Sequence, residues 1–399
     1  MLYFIFTANQ YCMYPTLYHF FYDVFGIQID ALQFFPAFGF IVAVSFIAAA
    51  FFFGKELKRK EQAGFLFPIT EKVLTGKPAS VSEIAINAII GFIFGYKILG
   101  IFFGSADGMV MKDYMFSKHG SWLSGIALAA AFAYMKYHEK EKDKLPEPKW
   151  VDAKIFPSQR VGEITMVAAL AGIIGAKVFH QFEYWEEFKA NPIESLLSPS
   201  GLTFYGGLIC GAIAVVYYVR KRQMNPWVIA DAVAPSLILA YAIGRIGCQV
   251  SGDGDWGIES TSPKPGWMSF LPDWMWSYNF PHNVNEVGVP MANCDAWAPY
   301  CNQLPVGVYP TAFYEVLMGL TIFGILWIVR KRITTTGVIF CLYLIFNGLE
   351  RFTIEQIRVN STFEFLGITM TQAQLISFVL MLVGTIGIVY FKMTAKKAQ

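Results

Sequence analysis

The chain has 399 residues, of which 55% are hydrophobic and 15% are charged, and its mean hydropathy is +0.45. Soluble domains carry about 25% charged residues, so the composition excludes an ordinary soluble protein and predicts an all-α polytopic membrane protein. The formal net charge of +2 gives no general basic field, which excludes nucleic acid as a partner.

The N-terminal region has the composition of a segment that lies at the membrane surface. Its first 30 residues contain no Lys or Arg, so they lack the basic region of a cleaved signal peptide. Aromatic side chains recur from Tyr3 to Tyr22, as is typical of the membrane–water interface. We therefore expect an interfacial segment before the first membrane-spanning helix.

Apolar segments near the roughly 20 residues needed to cross a bilayer recur along the chain. Nine are predicted, in the order Ala31–Gly54, Ile84–Phe103, Ser121–Met135, Ile164–Phe182, Leu202–Val219, Trp227–Gly247, Tyr309–Val329, Gly337–Arg351 and Met370–Phe391. We expect one integral membrane domain over residues 1–399.

Basic clusters follow alternate apolar segments and predict the orientation of the chain. They lie at residues 55–60, 136–144, 220–222, 330–332 and 392–397. The positive-inside rule places these clusters inside, with the N-terminus outside and the C-terminus inside. Residues 251–307 then form the largest outer segment, which we expect to cover a site as a cap.

The six cysteines show no spacing typical of a metal site, and no metal is predicted. Only Cys294 and Cys301 share one polar loop. If that loop faces an oxidising compartment, the two thiols can form a disulfide. Connectivity cannot be deduced from sequence, so a disulfide and two free thiols both remain open.

Ionisable residues in several apolar segments fall at one predicted depth, near the outer leaflet. They are Lys97, Lys177, His180, Arg245, Glu315, Glu350 and Arg351, whereas Asp231 lies toward the inner side. Such residues mark functional sites by default. Two structural explanations also fit: side chains that extend to the interface, as for Lys97, and ion pairs such as Arg245 with Glu315.

Arg245 carries the strongest signal, because it ends an apolar run and enters a Gly-rich acidic turn at residues 247–257. Farther along, Arg351, Glu355 and Arg358 have the i, i+4, i+7 spacing of one helical face. Two guanidinium groups separated by a carboxylate suit a phosphate, although a surface ladder of ion pairs has the same spacing. Gly206 and Gly207 follow Tyr205, which indicates either close helix packing or a phenol directed into a cavity.

The motifs around these residues resemble those of the bacterial prolipoprotein diacylglyceryl transferase family. Gly244–Asp253, followed by Trp256 and Gly257, is similar to the family signature. Further motifs resembling the family's occur in family order at residues 175–178, 204–209, 309–315 and 351–358. The chain has Tyr205 in place of the family histidine, Cys248 and Ser251 in place of asparagines, and Asp253 or Asp255 in place of the glutamate. Residues 66–149 are expected to insert two extra helices into a seven-helix family core.

The resemblance implies transfer of diacylglyceryl from phosphatidylglycerol to the lipobox cysteine of a prolipoprotein at the bacterial inner membrane, without a cofactor. Membrane lipids are also expected partners. Preorganised cations must stabilise the charge on the leaving phosphate, so we assign Arg245 and Arg351 to the phosphate, with Lys177 and Arg358 in support. Other expected site residues are the base or orienting candidates Tyr205, Asp253, Asp255 and Glu355, and the substrate-binding residues Gly206, Gly207, Gly257 and Glu315. The alternative function is a lipid or anionic-solute transporter, whose site also collects charged residues and glycines.

Overall fold

The computed structural model describes residues 13–105, 109, 111–198, 201, 203–360, 362–365 and 367–397. The first part of the expected interfacial segment, with Cys12, lies outside these residues. Within them the helices are α1 (Leu17–Phe25), α2 (Ala37–Gln62), α3 (Val81–Ile93), α4 (Met111–Phe116), α5 (Trp122–Lys142), α6 (Val161–Glu183), α7 (Trp185–Ala190), α8 (Pro192–Leu197), α9 (Phe204–Lys221), α10 (Pro226–Ser251), α11 (Thr311–Val329), α12 (Val338–Ile354) and α13 (Gln372–Lys397).

Short strands occur only in the connections between helices, among the described residues. They form three antiparallel pairs: β1 (Ile69–Thr75) with β2 (Lys149–Ile155), β3 (Val289–Pro290) with β4 (Asn302–Gln303), and β5 (Thr362–Phe365) with β6 (Ile368–Thr371). The mostly helical architecture confirms the expected polytopic class.

Each of the nine predicted apolar segments contains or overlaps a helix. Six helical stretches of the described chain are long and apolar enough to cross a membrane: Ala37–Gln62, Val81–Leu99, Pro157–Glu183, Pro226–Ser251, Thr311–Val329 and Gln372–Lys396. The remaining three segments correspond to α5, α9 and α12. Helix α12 has 17 residues, and α5 and α9 end in basic residues. Nine crossings and the chain's orientation therefore stay a prediction.

Helix α10 is the centre of the helical bundle and packs against α2, α11 and α12. In the most apolar 18-residue stretch of α10, 56% of the residues are buried, compared with 17% in that of α2. Small side chains make this possible: Ala232, Ala234 and Ala242 are fully buried, and a Cβ on Gly319 of α11 would lie 2.9 Å from the Cβ of Ala242. Close approach through small residues is typical of helices in lipid. The bundle therefore fixes the position of Arg245 near the end of α10.

Helices α3 and α5 pack mainly against each other. The β1–β2 pair links this hairpin to the chain on both sides, and Ile101 and Tyr114 pack against Phe34 and Phe35. Lys97 in this hairpin donates hydrogen bonds of 2.7–2.8 Å to three carbonyl oxygens of residues 114–119. Lys97 thus supplies hydrogen-bond donors to carbonyl groups in and after the last turn of α4. A side chain that only extended to the membrane interface would not make these bonds.

Charged residues at the end of the bundle opposite the cap have structural partners. Asp231 accepts hydrogen bonds from the backbone N–H groups of Gly337 (2.7 Å) and Phe340 (2.9 Å), which satisfies donors at the start of α12. The buried Glu56 accepts a 2.8 Å bond from the Nε atom of Arg330. These partners compensate the buried charges of Asp231 and Glu56, so no ligand is needed to account for their burial.

The cap over residues 251–307 contains a disulfide between Cys294 and Cys301, whose Cα atoms lie 5.6 Å apart. This bond decides between the two alternatives that the sequence left open. Next to it, the ring of Trp297 lies between His19 of α1 and His282, with centroid distances of 4.9 and 4.2 Å. Helix α1 is therefore fastened to the cap.

Helices α6 and α9 cross at glycines. A Cβ on Gly175 would lie 2.5 Å from the carbonyl oxygen of Gly206 and 2.3 Å from the Cβ of Cys210, and one on Gly207 would lie 3.1 Å from the carbonyl oxygen of Gly172. The contacts of Gly175 leave no room for a side chain, and at Gly207 a side chain would force its neighbour to shift. Gly206 and Gly207 therefore serve close helix packing, one of the two interpretations of that motif, and their expected substrate contact stays a prediction.

We expect Gly175→Ala to destabilise the protein by about 1–3 kcal/mol, because the added methyl group forces α6 and α9 apart. Gly162 lies in the same helix, and a Cβ there would meet no atom within 4 Å. Gly162→Ala should therefore leave the melting temperature unchanged or slightly higher. Thermal unfolding of both variants in detergent measures the difference, and equal melting temperatures would disprove the tight crossing.

Candidate active site at the cap end of the central helix

A two-glycine turn follows the end of α10. Gly252 (φ +62°) and Gly254 (φ +97°) adopt left-handed backbone conformations, which glycine tolerates best. The N–H of Gly252 donates to the carbonyl oxygen of Cys248 at 3.0 Å and closes the helix. Thr311 then holds the turn by donating a 2.6 Å hydrogen bond to the carbonyl oxygen of Asp255. The chain thereby returns and places the Asp255 carboxylate beside Arg245.

Arg245 is held by two carboxylates from different parts of the chain. Its Nε atom lies 3.0 Å from Glu315 of α11, and its Nη1 atom donates to Asp255 of the turn. The guanidinium carbon lies 5.2 Å from the ring centre of Tyr241, one turn earlier in α10. The expected ion pair with Glu315 is therefore present. A guanidinium fits this arrangement because it can donate to two acceptors in fixed directions.

Glu315 is fully buried and joins three arginines. Besides Arg245, it lies 3.3 Å from Nη1 of Arg351 and 3.5 Å from Nη1 of Arg358. The Tyr241 hydroxyl lies 3.1 Å from Oε1 of Glu315 and also 3.1 Å from Oε1 of the buried Glu350. The buried carboxylate of Glu315 thus holds the three arginine side chains together.

The helical face expected for Arg351, Glu355 and Arg358 is not continuous. Helix α12 ends at Ile354, residues 355–357 form a 3₁₀ turn, and Arg358 is extended. The reason is a backbone pairing of Arg358 with Gly257 of the turn region, which takes that residue out of the helix. The three side chains still gather, because Arg351 lies 3.2 Å from Glu355 and Arg358 donates to Asp255.

Gly257 permits this pairing through its missing side chain. A Cβ there would lie 2.6 Å from the carbonyl oxygen of Ile357 and 2.9 Å from Thr311. Its N–H donates to the carbonyl oxygen of Tyr309 at 2.8 Å. The described contacts of Gly257 are therefore structural, and its expected substrate contact stays a prediction.

The three arginines face three carboxylates, those of Glu315, Asp255 and Glu355. The cluster is open on one side: the side chain of Arg351 is 27% exposed and that of Asp255 is 30% exposed, whereas Arg358 is 11% exposed. A network of ion pairs that only stabilised the fold would not need an exposed side. An anion approaching the cluster would meet Arg351 first.

The two aspartates of the turn have opposite environments. Burial raises the pKa of Asp253, the nearby Asp255 raises it further, and its hydrogen bond with Cys248 opposes the rise. Burial also acts to raise the pKa of Asp255, but Arg245 and Arg358 outweigh it and the pKa falls below its usual range. Asp255 therefore remains a carboxylate in the arginine cluster, whereas Asp253 accepts a proton more readily.

Thiol and carboxylate atoms of Cys248, Asp253 and Asp255 lie within 4.8 Å of one another. These ligand types can hold a metal ion, but Asp255 already faces two arginines. Two neighbouring guanidinium charges disfavour another cation there. The residues present therefore do not form a convincing metal site.

Lys177 and Tyr205 lie on the α6–α9 pair rather than on α10–α12. Lys177 donates a 2.7 Å hydrogen bond to the carbonyl oxygen of Ser198, in the segment that connects α6 with α9. These two residues therefore belong to a different group of helices from the arginine cluster, and the expected common depth of the charged groups stays a prediction. The structure brings together Arg245, Asp255, Glu315, Glu350, Arg351, Glu355 and Arg358.

Tyr241 is the residue of the cluster that sequence reasoning missed. It precedes Arg245 by four positions on the same helix, and this spacing places two side chains on one face. A tyrosine within an apolar run has no distinctive signal of its own. The i, i+4 relation to the arginine could have identified it.

The chain is similar in sequence to the members of one protein family. The sequence profile of a family described as prolipoprotein diacylglyceryl transferase matches residues 121–390. A protein of Symbiobacterium thermophilum named phosphatidylglycerol–prolipoprotein diacylglyceryl transferase is 31% identical over 236 residues, which cover 58% of this chain and 76% of the relative. A Shouchella clausii protein of the same name is 28% identical over 275 residues, covering 68% and 85% of the two chains. The profile range includes the whole arginine cluster and α5, whereas α2 precedes it.

Proposed function

Because the chain belongs to the prolipoprotein diacylglyceryl transferase family, we propose that it transfers a diacylglyceryl group from phosphatidylglycerol to a cysteine thiol of a prolipoprotein. The chain is accordingly a transferase and a multi-pass membrane protein. We assign it to the bacterial inner membrane, where both substrates would meet at the outer leaflet. The observation that carries the proposal is the convergence of Arg245, Arg351 and Arg358 on the buried Glu315.

The proposed reaction is an alkyl displacement. The thiolate sulfur attacks the glycerol carbon that bears the phosphate, a C–S bond forms, and the C–O bond to the phosphate breaks. Glycerol phosphate leaves with the electron pair, and the thiol proton passes to a base. Negative charge develops on the leaving phosphate, and preorganised cations lower the energy of such a state.

In this proposal Arg351 and Arg245 stabilise the leaving phosphate. Arg351 supports the role through its exposure, and Arg245 through its fixed position between Glu315 and Asp255. Arg358 holds Asp255 in place and adds positive charge. On the α6–α9 side, Lys177 remains a proposed ligand of the lipid phosphate and Tyr205 a proposed base or orienting group.

We propose Asp253 as the base that accepts the thiol proton. A thiol has an ordinary pKa of about 8.5 and needs help to ionise. Burial raises the pKa of Asp253, while two arginines keep Asp255 ionised, so Asp253 is better matched to proton transfer.

The proposed transferase activity is tested with purified protein, phosphatidylglycerol and a lipobox peptide. The expected products are glycerol phosphate and a peptide heavier by one diacylglyceryl group. A peptide with serine in place of the lipobox cysteine is the control and should stay unmodified. Absence of both products with intact lipid and peptide would refute the activity. Protein-dependent lipid movement between vesicles without any product would favour the alternative transporter.

Asp253→Asn should lower kcat by about 100-fold or more, since general bases contribute 10²–10⁴-fold. In the native protein, activity should rise with pH through the raised pKa of Asp253, because only the carboxylate accepts the proton. The variant should lose this dependence. Asp255→Asn should retain it but shift it to lower pH, because the neighbouring charge that raises the pKa of Asp253 is removed, and it should bind lipid less well. An unchanged pH profile in Asp253→Asn would assign the base elsewhere.

A further inference from the structure

The cap carries an apolar turn between two prolines. The sequence from Pro265 to Pro272 contains no charged residue, and residues 266–268 form a 3₁₀ turn. In it the side chain of Trp267 is 72% exposed and that of Phe270 is 80% exposed. We call residues 266–271 the aromatic tip. Single exposed apolar side chains are ordinary, but two large aromatic rings on one short turn form a local apolar surface.

Polar contacts close the base of this turn. The Lys264 ammonium donates to the carbonyl oxygen of Leu271 and lies 2.9 Å from the carboxylate of Asp273. The indole N–H of Trp276 donates to the carbonyl oxygen of Ser262 at 2.9 Å. The nearby cation is therefore satisfied within the base, and the aromatic tip contains no charge that must remain in water.

The base lies against the first turn of α11. The ring of Trp274 packs on Phe313 with a centroid distance of 5.0 Å. The hydroxyl of Tyr314 donates to the carbonyl oxygen of Met275 at 2.8 Å. These two contacts place the base of the turn beside the N-terminal end of α11, a helix long and apolar enough to cross a membrane.

The face of α11 that carries Phe313 continues along the helix as an exposed apolar surface. Phe313, Leu317 and Leu320 have the i, i+4, i+7 spacing of one helical face. Leu317 and Leu320 are exposed on a helix long and apolar enough to cross a membrane. The base of the turn is thus adjacent to the exposed apolar face of a helix that is long and apolar enough to cross a membrane.

We propose that the aromatic tip inserts into the lipid interface beside α11 and anchors the cap to the membrane. Trp and Phe rings are favourable at this depth because their apolar bodies leave water there. The proposed occupant is the bilayer around α11, since the base of the turn packs on Phe313, which shares a helical face with the exposed Leu317 and Leu320. This inference goes beyond the proposed transferase reaction and does not depend on it.

A nitroxide label at residue 270 measures the proposed depth. Phe270→Cys is made in a chain in which Cys12, Cys210, Cys248 and Cys341 are replaced by alanine and the Cys294–Cys301 disulfide is kept. The full chain is reconstituted in phosphatidylcholine–phosphatidylglycerol vesicles. Collisions with apolar oxygen and with a water-soluble nickel chelate are compared by electron paramagnetic resonance. Labels at Val289, an exposed apolar residue of β3, and at Glu147, an exposed loop residue, are the controls.

The ratio of oxygen to nickel collisions should be several-fold higher at residue 270 than at residues 289 and 147. A label at Trp267→Cys should give the same result and guards against a local disturbance from one substitution. Nickel accessibility at residues 267 and 270 equal to that at residue 147 would overturn the proposal. Protection that arises only after a lipobox peptide is added would instead identify the aromatic tip as a peptide-binding surface and would also overturn it.

Discussion

Arg245→Lys is expected to lower transferase activity by about 100- to 1000-fold while the chain remains folded, the loss typical of removing one preorganised donor. Arg245 reaches Glu315 through Nε at 3.0 Å and Asp255 through Nη1. Lysine keeps the charge but concentrates it at one atom, which cannot bridge both carboxylates in this geometry. The leaving phosphate then loses a positioned cation. The rate of glycerol phosphate release at saturating peptide gives the measure.

Arg330→Lys is the matched control, because Arg330, like Arg245, is an arginine paired with a buried carboxylate. Its Nε atom lies 2.8 Å from Glu56, and its guanidinium carbon lies 3.3 Å from the ring centre of Trp327. This variant should lose stability but keep its rate per folded molecule. Wild-type activity in Arg245→Lys would remove its proposed role, and an equal loss in both variants would make the effect structural.

The helices and the ion pair of Arg245 with Glu315 were predictable from sequence, because lipid imposes simple constraints. Apolar runs near 20 residues define spans, and a buried cation needs a partner. Asp255 was harder to predict. The sequence allowed Asp253 or Asp255 in the family's acidic position, and the left-handed backbone at Gly252 and Gly254 decides which carboxylate returns to Arg245.

Helical periodicity was less reliable where tertiary pairing competed with it. Arg358 has helical spacing from Arg351, but its backbone pairs with Gly257 and leaves the helix. Lys177 was placed at the correct end of its helix, yet depth alone does not say which helices become neighbours. That choice depends on crossings such as the one between Gly175 and Gly206, whose distances a single sequence does not contain.

Glu315→Gln is expected to destabilise the protein by about 3–5 kcal/mol, the range for breaking a buried ion pair. Glutamine preserves the shape of the side chain but removes the negative charge that three arginines share. Arg245, Arg351 and Arg358 would then repel one another in a site with little water, where such repulsion is strong. Unfolding in mixed micelles and the transferase rate together measure the effect. Glu259→Gln is the control, because Glu259 is exposed and its replacement should change stability by less than about 0.5 kcal/mol.

A second substitution separates charge balance from a general packing defect. The double variant combines Glu315→Gln with Arg358→Met. Methionine removes one uncompensated cation and replaces the unbranched stem of the arginine with an unbranched apolar side chain. If repulsion between arginines causes the instability, the double variant should recover part of the loss, with a coupling energy of about 0.5–3 kcal/mol. Activity should stay low, because positioning of Arg245 also depends on Glu315. Additive losses would exclude charge repulsion as the cause, and native stability in Glu315→Gln alone would show that the arginines do not need their shared carboxylate.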